Sequence, residues 1–228
     1  MTLNIKEKQM AMLLHEFQLT AETVGCQMKN IRDVVAGNFD EQTNQDIESN
    51  EVILDRLELK IREEIIFAIF QFNPIASDLR QIIAYEDAST NLERIGDMLV
   101  NIAHILQRHH TIKDTVPEVR EHLMSMMNIA FKMVEDAIII FLKGEARIAY
   151  DIIEKDDQVD TLFHKLNVLL QEKYSNAKFG ENDVINIINT TLISQNFERI
   201  ADSATNIAES AVFIAEGKDI RHINIQNE

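Results

Sequence analysis

The sequence predicts an all-α protein: six long helices arranged as two tandem, pseudo-symmetric three-helix bundles. Three observations carry that prediction. The chain of 228 residues holds only 6 Gly and 2 Pro, too few helix breakers for many turns. Its apolar residues recur at spacings of three, four and seven, the period of a helix with one buried face. The second half also repeats the first. The stretch Asn91 to Ala103 reads Asn-Leu-Glu-Arg-Ile-Gly-Asp-Met-Leu-Val-Asn-Ile-Ala. It returns 105 residues later, from Asn196 to Ala208, as Asn-Phe-Glu-Arg-Ile-Ala-Asp-Ser-Ala-Thr-Asn-Ile-Ala.

The breakers place the elements. Gly37, Pro74, Pro117, Gly144, Gly180 and Gly217 fall at or near the ends of helical patterns, where such residues belong. The predicted helices are therefore 5–36, 41–72, 75–109, 116–143, 146–174 and 182–216. A thirty-residue helix is about 45 Å long. In the second helix Ile47, Leu54, Leu57, Ile61, Ile65, Ala68 and Phe72 form the apolar stripe. Its counterpart, the fifth, carries Ile152, Val159, Leu162, Leu166 and Leu169. In the third, Leu92, Ile95, Leu99, Ile102 and Leu106 form one stripe. Glu86, Glu93, Asp97, Asn101 and His104 form a polar one beside it. Short connections between long helices make neighbours antiparallel and give bundles. Three helices per repeat place one domain at 1–112 and the other at 113–228, with the junction between His109 and Val116. Gly25 and Gly96 lie inside helical patterns at a cost of about 1 kcal/mol each. For Gly96, close helix packing is the simple explanation, and Ala201 takes its place in the repeat.

Composition narrows the function. A net charge of −16 argues against nucleic acid and against an anionic membrane surface, and suits cations or a basic protein partner. The longest apolar runs, Ile65 to Phe70 and Ala137 to Leu142, are six residues each, far short of a membrane span. The first residues lack the pattern of a secretory leader, so a cytoplasmic protein is expected. A lone cysteine, Cys26, leaves no intrachain disulfide or Cys-rich metal site.

The chemistry lies in carboxylates. Glu93 and Asp97 are four apart, so on a helix they sit one turn apart on one face, with Asn101 a turn further. Glu198, Asp202 and Asn206 repeat this arrangement. At the same offset, Glu51 and Asp55 are matched by Asp156 and Asp160. With 38 acidic residues in 228, four given positions would all be acidic by chance only about once in a thousand draws. Like charges one turn apart weaken a helix by a few tenths of a kcal/mol. Two helices packed side by side, each bearing such a pair, would gather four hard oxygen donors, the ligand class of magnesium, calcium, manganese or iron. The plainer alternative is a solvated acidic face. Arg94 and Arg199 point about 100° away from their neighbouring acids and are free to answer carboxylates on another helix. His104 is one turn beyond Asn101, but its repeat partner is Glu209. The chain has no Glu-x-x-His, Gly-x-Ser-x-Gly, P-loop or Gly-rich phosphate cradle. It is therefore read as a non-enzyme.

The residues so assembled resemble the PhoU family of bacterial phosphate-signalling regulators across nearly the whole chain. The family signature, two copies of Leu-Glu-Arg-Ile-Gly-Asp followed by Asn-Ile-Ala, is similar to Leu92–Asp97 with Asn101–Ala103 and to Phe197–Asp202 with Asn206–Ala208. Asn73 to Arg80 looks like the family's Pro-x-Ala-x-Asp-Leu-Arg element. Two departures are Ala201 for the usual Gly, and Asn50 beside an acid that the family often keeps as Asp. The resemblance implies multinuclear metal clusters, iron first, with zinc, manganese or magnesium as the other candidates. By motif the ligands fall on Glu51, Asp55, Glu93, Asp97, Asp156, Asp160, Glu198 and Asp202, with Asn101 and Asn206 as additions. It also implies a cytoplasmic negative regulator of phosphate uptake and of the phosphate-starvation regulon, and a homodimer reaching the membrane only through its partners. Those partners would be the ATPase subunit of a phosphate ABC transporter and a sensor histidine kinase. A regulator of a different phosphate transporter, or a helical scaffold without metal, are the alternatives.

Overall fold

A computed structural model of the chain describes residues 4–38, 40–108, 115–144, 146–175 and 180–220. The elements are α1 (Ile5–Ala36), α2 (Glu41–Phe72), α3 (Ala76–Arg108), α4 (Pro117–Lys143), α5 (Ala146–Tyr174) and α6 (Glu181–Glu216). They agree with the expected helices to within a residue. The boundary at residues 112 and 113, and the expected helical position at residue 109, lie outside the described residues.

Local chemistry sets the ends. Asn4 accepts from the Glu7 amide while Glu7 accepts from the Asn4 amide, a capping box that satisfies two donors at the start of α1. Asp40 caps α2 through the Thr43 amide and hydroxyl. Gly37 closes α1 at φ 92°, where a side chain would be strained, and its amide returns to the last turn. Asn73 closes α2 in the same left-handed region at φ 46°. Pro74 follows and cannot continue the helix.

Helices α1, α2 and α3 pack on one another, as do α4, α5 and α6, so each repeat closes a bundle. The bundles meet mainly where α3 lies against α6, with a smaller contact between α1 and α4. Asn206 on α6 donates to Asn91 on α3 at 3.2 Å. Near the far end of α3, Arg108 shares a cleft with Asn189 of α6. Partner numbers fall along α6 as they rise along α3, so the two helices run antiparallel. The apolar core is continuous through both bundles. Phe17 of α1 packs at ring-centroid distances of 5.7 Å from Tyr85 of α3 and 4.5 Å from Phe141 of α4. The Arg32 guanidinium lies 5.1 Å over the Phe131 ring and 3.1 Å from Glu135, tying α1 to α4 again. No described helix is long and apolar enough to cross a membrane.

Candidate metal centre

The first acidic site is built across α2 and α3. Gly96 decides how closely they approach, because a Cβ there would run into Cδ1 of Leu54, which is fully packed. Leu54 stands directly before Asp55, and Gly96 directly before Asp97. The contact that draws the backbones together therefore also draws the carboxylates together. Asp55, Glu93 and Asp97 each present an oxygen, all within 4.8 Å of one another. Among the described residues, this is the group where three such donors come that close.

The electrostatics show the cost of this arrangement. Burial pushes the Glu93 carboxyl up to about 7, with Asp97, Glu58 and Asp55 adding repulsion against a small opposing pull from Arg94. Burial raises Asp97 as well, and Asp55 and Glu58 add to the shift. Glu51 is raised by burial and then by Glu48, Asp97 and Asp55, while His104 lowers it. All four sequence-expected acids of the first repeat thus share one field. Glu48 and Glu58 join them. Glu48 meets His104 Nε2 at 2.6 Å, and Glu58 accepts from Arg62 at 3.0 Å and from the Thr90 hydroxyl at 3.3 Å.

The second repeat places its acids across α5 and α6 in the same way. Asp156 is pushed up to about 7, first by burial and then by Asp202, Asp160, Asp157 and Glu198. One of its oxygens, Oδ1, is buried without a hydrogen-bond partner. Glu198 and Asp202 are also raised by burial, with Asp160 repelling both and Arg199 pulling both down. Asp156 replaces Glu51 and is one methylene shorter.

Sequence spacing did not reveal the roles of Glu48 and Glu58. The signal was present, since Glu48, Glu51, Asp55 and Glu58 step by three, four and three along one face of α2. Their repeat partners, Ile153 and Phe163, break the match that singled out the other acids. The two asparagines lie on the α3–α6 cleft, which Asp97 and Asp202 also line. Asn206 is engaged with Asn91 between the bundles. Asn101 is exposed and lines the α3–α6 cleft beside Arg94, Asp97, Arg199 and Asp202. His104 reaches the site through Glu48.

A cation would relieve this arrangement. Clustered carboxylates held partly out of water repel one another and hold protons to unusually high pH, and an unpartnered carboxylate oxygen adds a desolvation cost. Hard cations prefer such oxygen donors, and carboxylate sites in helical bundles hold manganese and iron. The residue types in both sites fit that class.

Comparison with known proteins agrees with the architecture. The PhoU domain family matches the chain twice, over residues 18–106 and 123–211. A protein of Aquifex aeolicus named phosphate-specific transport system accessory protein PhoU homolog is 31% identical over 225 residues, covering 95% of this chain and 98% of its own. A Thermotoga maritima protein, PhoU homolog 1 of the same description, is 30% identical over 77% of this chain and 73% of its own. The crystal structure of PhoU from Pseudomonas aeruginosa superposes with a TM-score of 0.76 at 24% identity, covering 93% of this chain and 97% of that one. The phosphate transport system regulatory protein PhoU from Streptococcus pneumoniae gives 0.71 at 22% identity, over 94% and 96%.

Proposed function

This chain belongs to the PhoU family, and from that membership we propose that it is a cytoplasmic, non-catalytic accessory protein of a phosphate-specific transport system. It acts as a negative regulator, coupling the ATPase subunit of a phosphate ABC transporter to a sensor histidine kinase. The observation that carries the reading is the PhoU domain repeated over both bundles, in a chain that is similar to a protein bearing that accessory name across 98% of that protein's length. A protein-binding role is further supported by exposed apolar side chains at the end of α2: Ile66, Phe67, Ile69 and Phe70, the last 87% exposed. We take 1–112 and 113–228 as the two repeats and a homodimer as the working assembly.

In this reading metal is structural and regulatory. Glu51, Asp55, Glu93 and Asp97 hold ions in the first repeat, and Asp156, Asp160, Glu198 and Asp202 in the second. Asn101 and Asn206 are additional candidates; Asn206 donates to Asn91 through its amide nitrogen, a bond that does not use its oxygen. Iron is the leading ion, with zinc, manganese and magnesium as its competitors. Bound metal supplies charge neutralisation, locking α2 to α3 and α5 to α6, and so stiffens the faces offered to partners.

The test is genetic. Deleting the gene should leave a phosphate-starvation reporter switched on in rich phosphate, and the wild-type chain should restore repression. Normal repression in a deletion strain without a second copy would defeat the regulatory reading while leaving the fold untouched.

A further inference from the structure

The α3–α6 cleft carries a chemistry that the acidic sites do not. Between the C-terminal half of α3 and the N-terminal half of α6 lies a cavity of about 490 Å³, within the usual range for small-ligand sites. Its polar lining is Arg108, Arg199, His104 and the amides of Asn101, Asn189, Gln195 and Asn196. The adjoining part of the cleft, which shares Asn101, Asn196 and Arg199, holds Asp97 and Asp202, whereas no carboxylate of the described residues lines this end. In a chain with 38 acidic and 22 basic residues, that is a local reversal of sign. Both Arg108 and Arg199 are exposed, and Arg199 also draws on the charges of Glu198 and Asp202. His104 is tied to Glu48 at 2.6 Å, which anchors that side of the wall.

The duplication provides an internal control. Shifting the lining residues by 105 gives their equivalents in the other repeat. His104 becomes Glu209, Arg108 becomes Phe213, Leu192 becomes Asp87 and Gln195 becomes Thr90, while Arg199 keeps its type as Arg94, and Asn101 and Asn196 keep theirs as Asn206 and Asn91. The matching positions thus exchange a histidine and an arginine for an acid and an aromatic ring, and add a second acid. The positive cleft therefore does not follow from the fold's symmetry. It belongs to one end of the interface only.

We propose that this cleft binds a small phosphate-bearing anion, an organophosphate or an oligophosphate, gripped by the guanidiniums of Arg108 and Arg199. Planar guanidinium forks match phosphate oxygens bidentately, and side-chain amides complete the donor set. The space exceeds a single phosphate group, and Ile105 and Leu192 offer an apolar wall for an organic portion. Because α3 and α6 come from different bundles, such an anion would clamp the two repeats together. The proposal does not rest on the metal reading, although Arg199 also borders the second acidic site.

The experiment is calorimetric titration of the full chain, stripped with EDTA so that no metal can bridge, at roughly 50 mM salt where charge attraction is only partly screened. The probes are pyrophosphate, AMP and, as a neutral control, adenosine. Saturable binding of pyrophosphate or AMP, without binding of adenosine, is expected. Arg108→Gln and Arg199→Gln should each weaken binding about tenfold or more, the scale of a hydrogen bond to a charged group. The charge-matched control Lys29→Gln, on α1, should stay within about twofold. AMP binding more tightly than pyrophosphate assigns an organophosphate, and equal or weaker binding assigns the oligophosphate. No saturable binding of either phosphate probe up to about 10 mM, or Arg108→Gln binding like wild type, overturns the proposal. Arg199 lies beside the second acidic site, so circular dichroism checks that its variant folds. The exposed Arg108 keeps the test decisive if it does not.

Discussion

Replacing Gly96 by alanine tests the link between helix packing and the acidic site. The new methyl meets Cδ1 of Leu54, a side chain only 1% exposed with little room to move. Overpacking of this kind costs about 1–3 kcal/mol, while an alanine in mid-helix returns about 1 kcal/mol. The net loss is then up to about 2 kcal/mol, or up to roughly 8 °C in Tm at this chain length. The second repeat indicates the remedy. Its equivalents are Val159 and Ala201, both fully buried, a shorter side chain where the facing residue is larger. Leu54→Val alone removes one methylene and should cost about 0.5–1.5 kcal/mol. In the double variant the clash disappears and the helix gain remains. Urea unfolding of the four proteins should therefore show the double variant more stable than the sum of the singles by about 1–3 kcal/mol. Additivity within about 0.5 kcal/mol would refute the claim that Gly96 exists to admit Leu54.

Two further outcomes concern the acids themselves. Asp97→Asn and Asp202→Asn keep shape but remove charge, and each should reduce metal content after gentle purification. A wild-type protein at about 100 times the Kd of its ion gains about 2.7 kcal/mol, some 5–10 °C in Tm, and the double variant should lose most of that gain. No thermal response of the wild type to iron, manganese or zinc would reduce the carboxylates to an acidic surface. The second outcome is a pH dependence. Glu93 and Asp156 titrate at about 7 when folded, against ordinary values of 4.5 and 3.8, so the native state holds protons that the unfolded chain has lost. That stabilisation is complete below about pH 4 and lost as pH rises through about 7. Metal-free protein should melt at progressively lower temperature from about pH 5.5 to 8, and Glu93→Gln with Asp156→Asn should flatten the trend. Asp40 and Asp136, whose carboxyls lie below the usual range, act only at lower pH. Added metal should stabilise more at pH 8 than at pH 6, because ligands must be deprotonated to bind. A rising or flat metal-free profile would show that the carboxylates are better solvated than their packing implies.

What the sequence determined by itself was local or repeated. Gly37, Asn73-Pro74 and Pro117 end or begin helices through backbone geometry confined to a few residues. Acids at a common offset could be paired across helices because a duplication makes one repeat a guide to the other. Only the tertiary structure decided what met what. Periodicity tells a helix how much of itself to bury, not against which neighbour. In α3 the consecutive residues Met98, Leu99 and Val100 are all buried, which happens only where a helix is covered from more than one side. One side belongs to its own bundle, and the other to α6. That second contact takes Asn206 for Asn91 and sets Arg108 and Arg199 on one cleft. Glu58 entered the first site in the same way. Neither it nor Glu48 has an acidic counterpart in the repeat. Glu48 acts on Glu51 along its own helix, whereas the approach of α2 to α3, allowed by a missing Cβ at Gly96, brings Glu58 against Glu93 and Asp97.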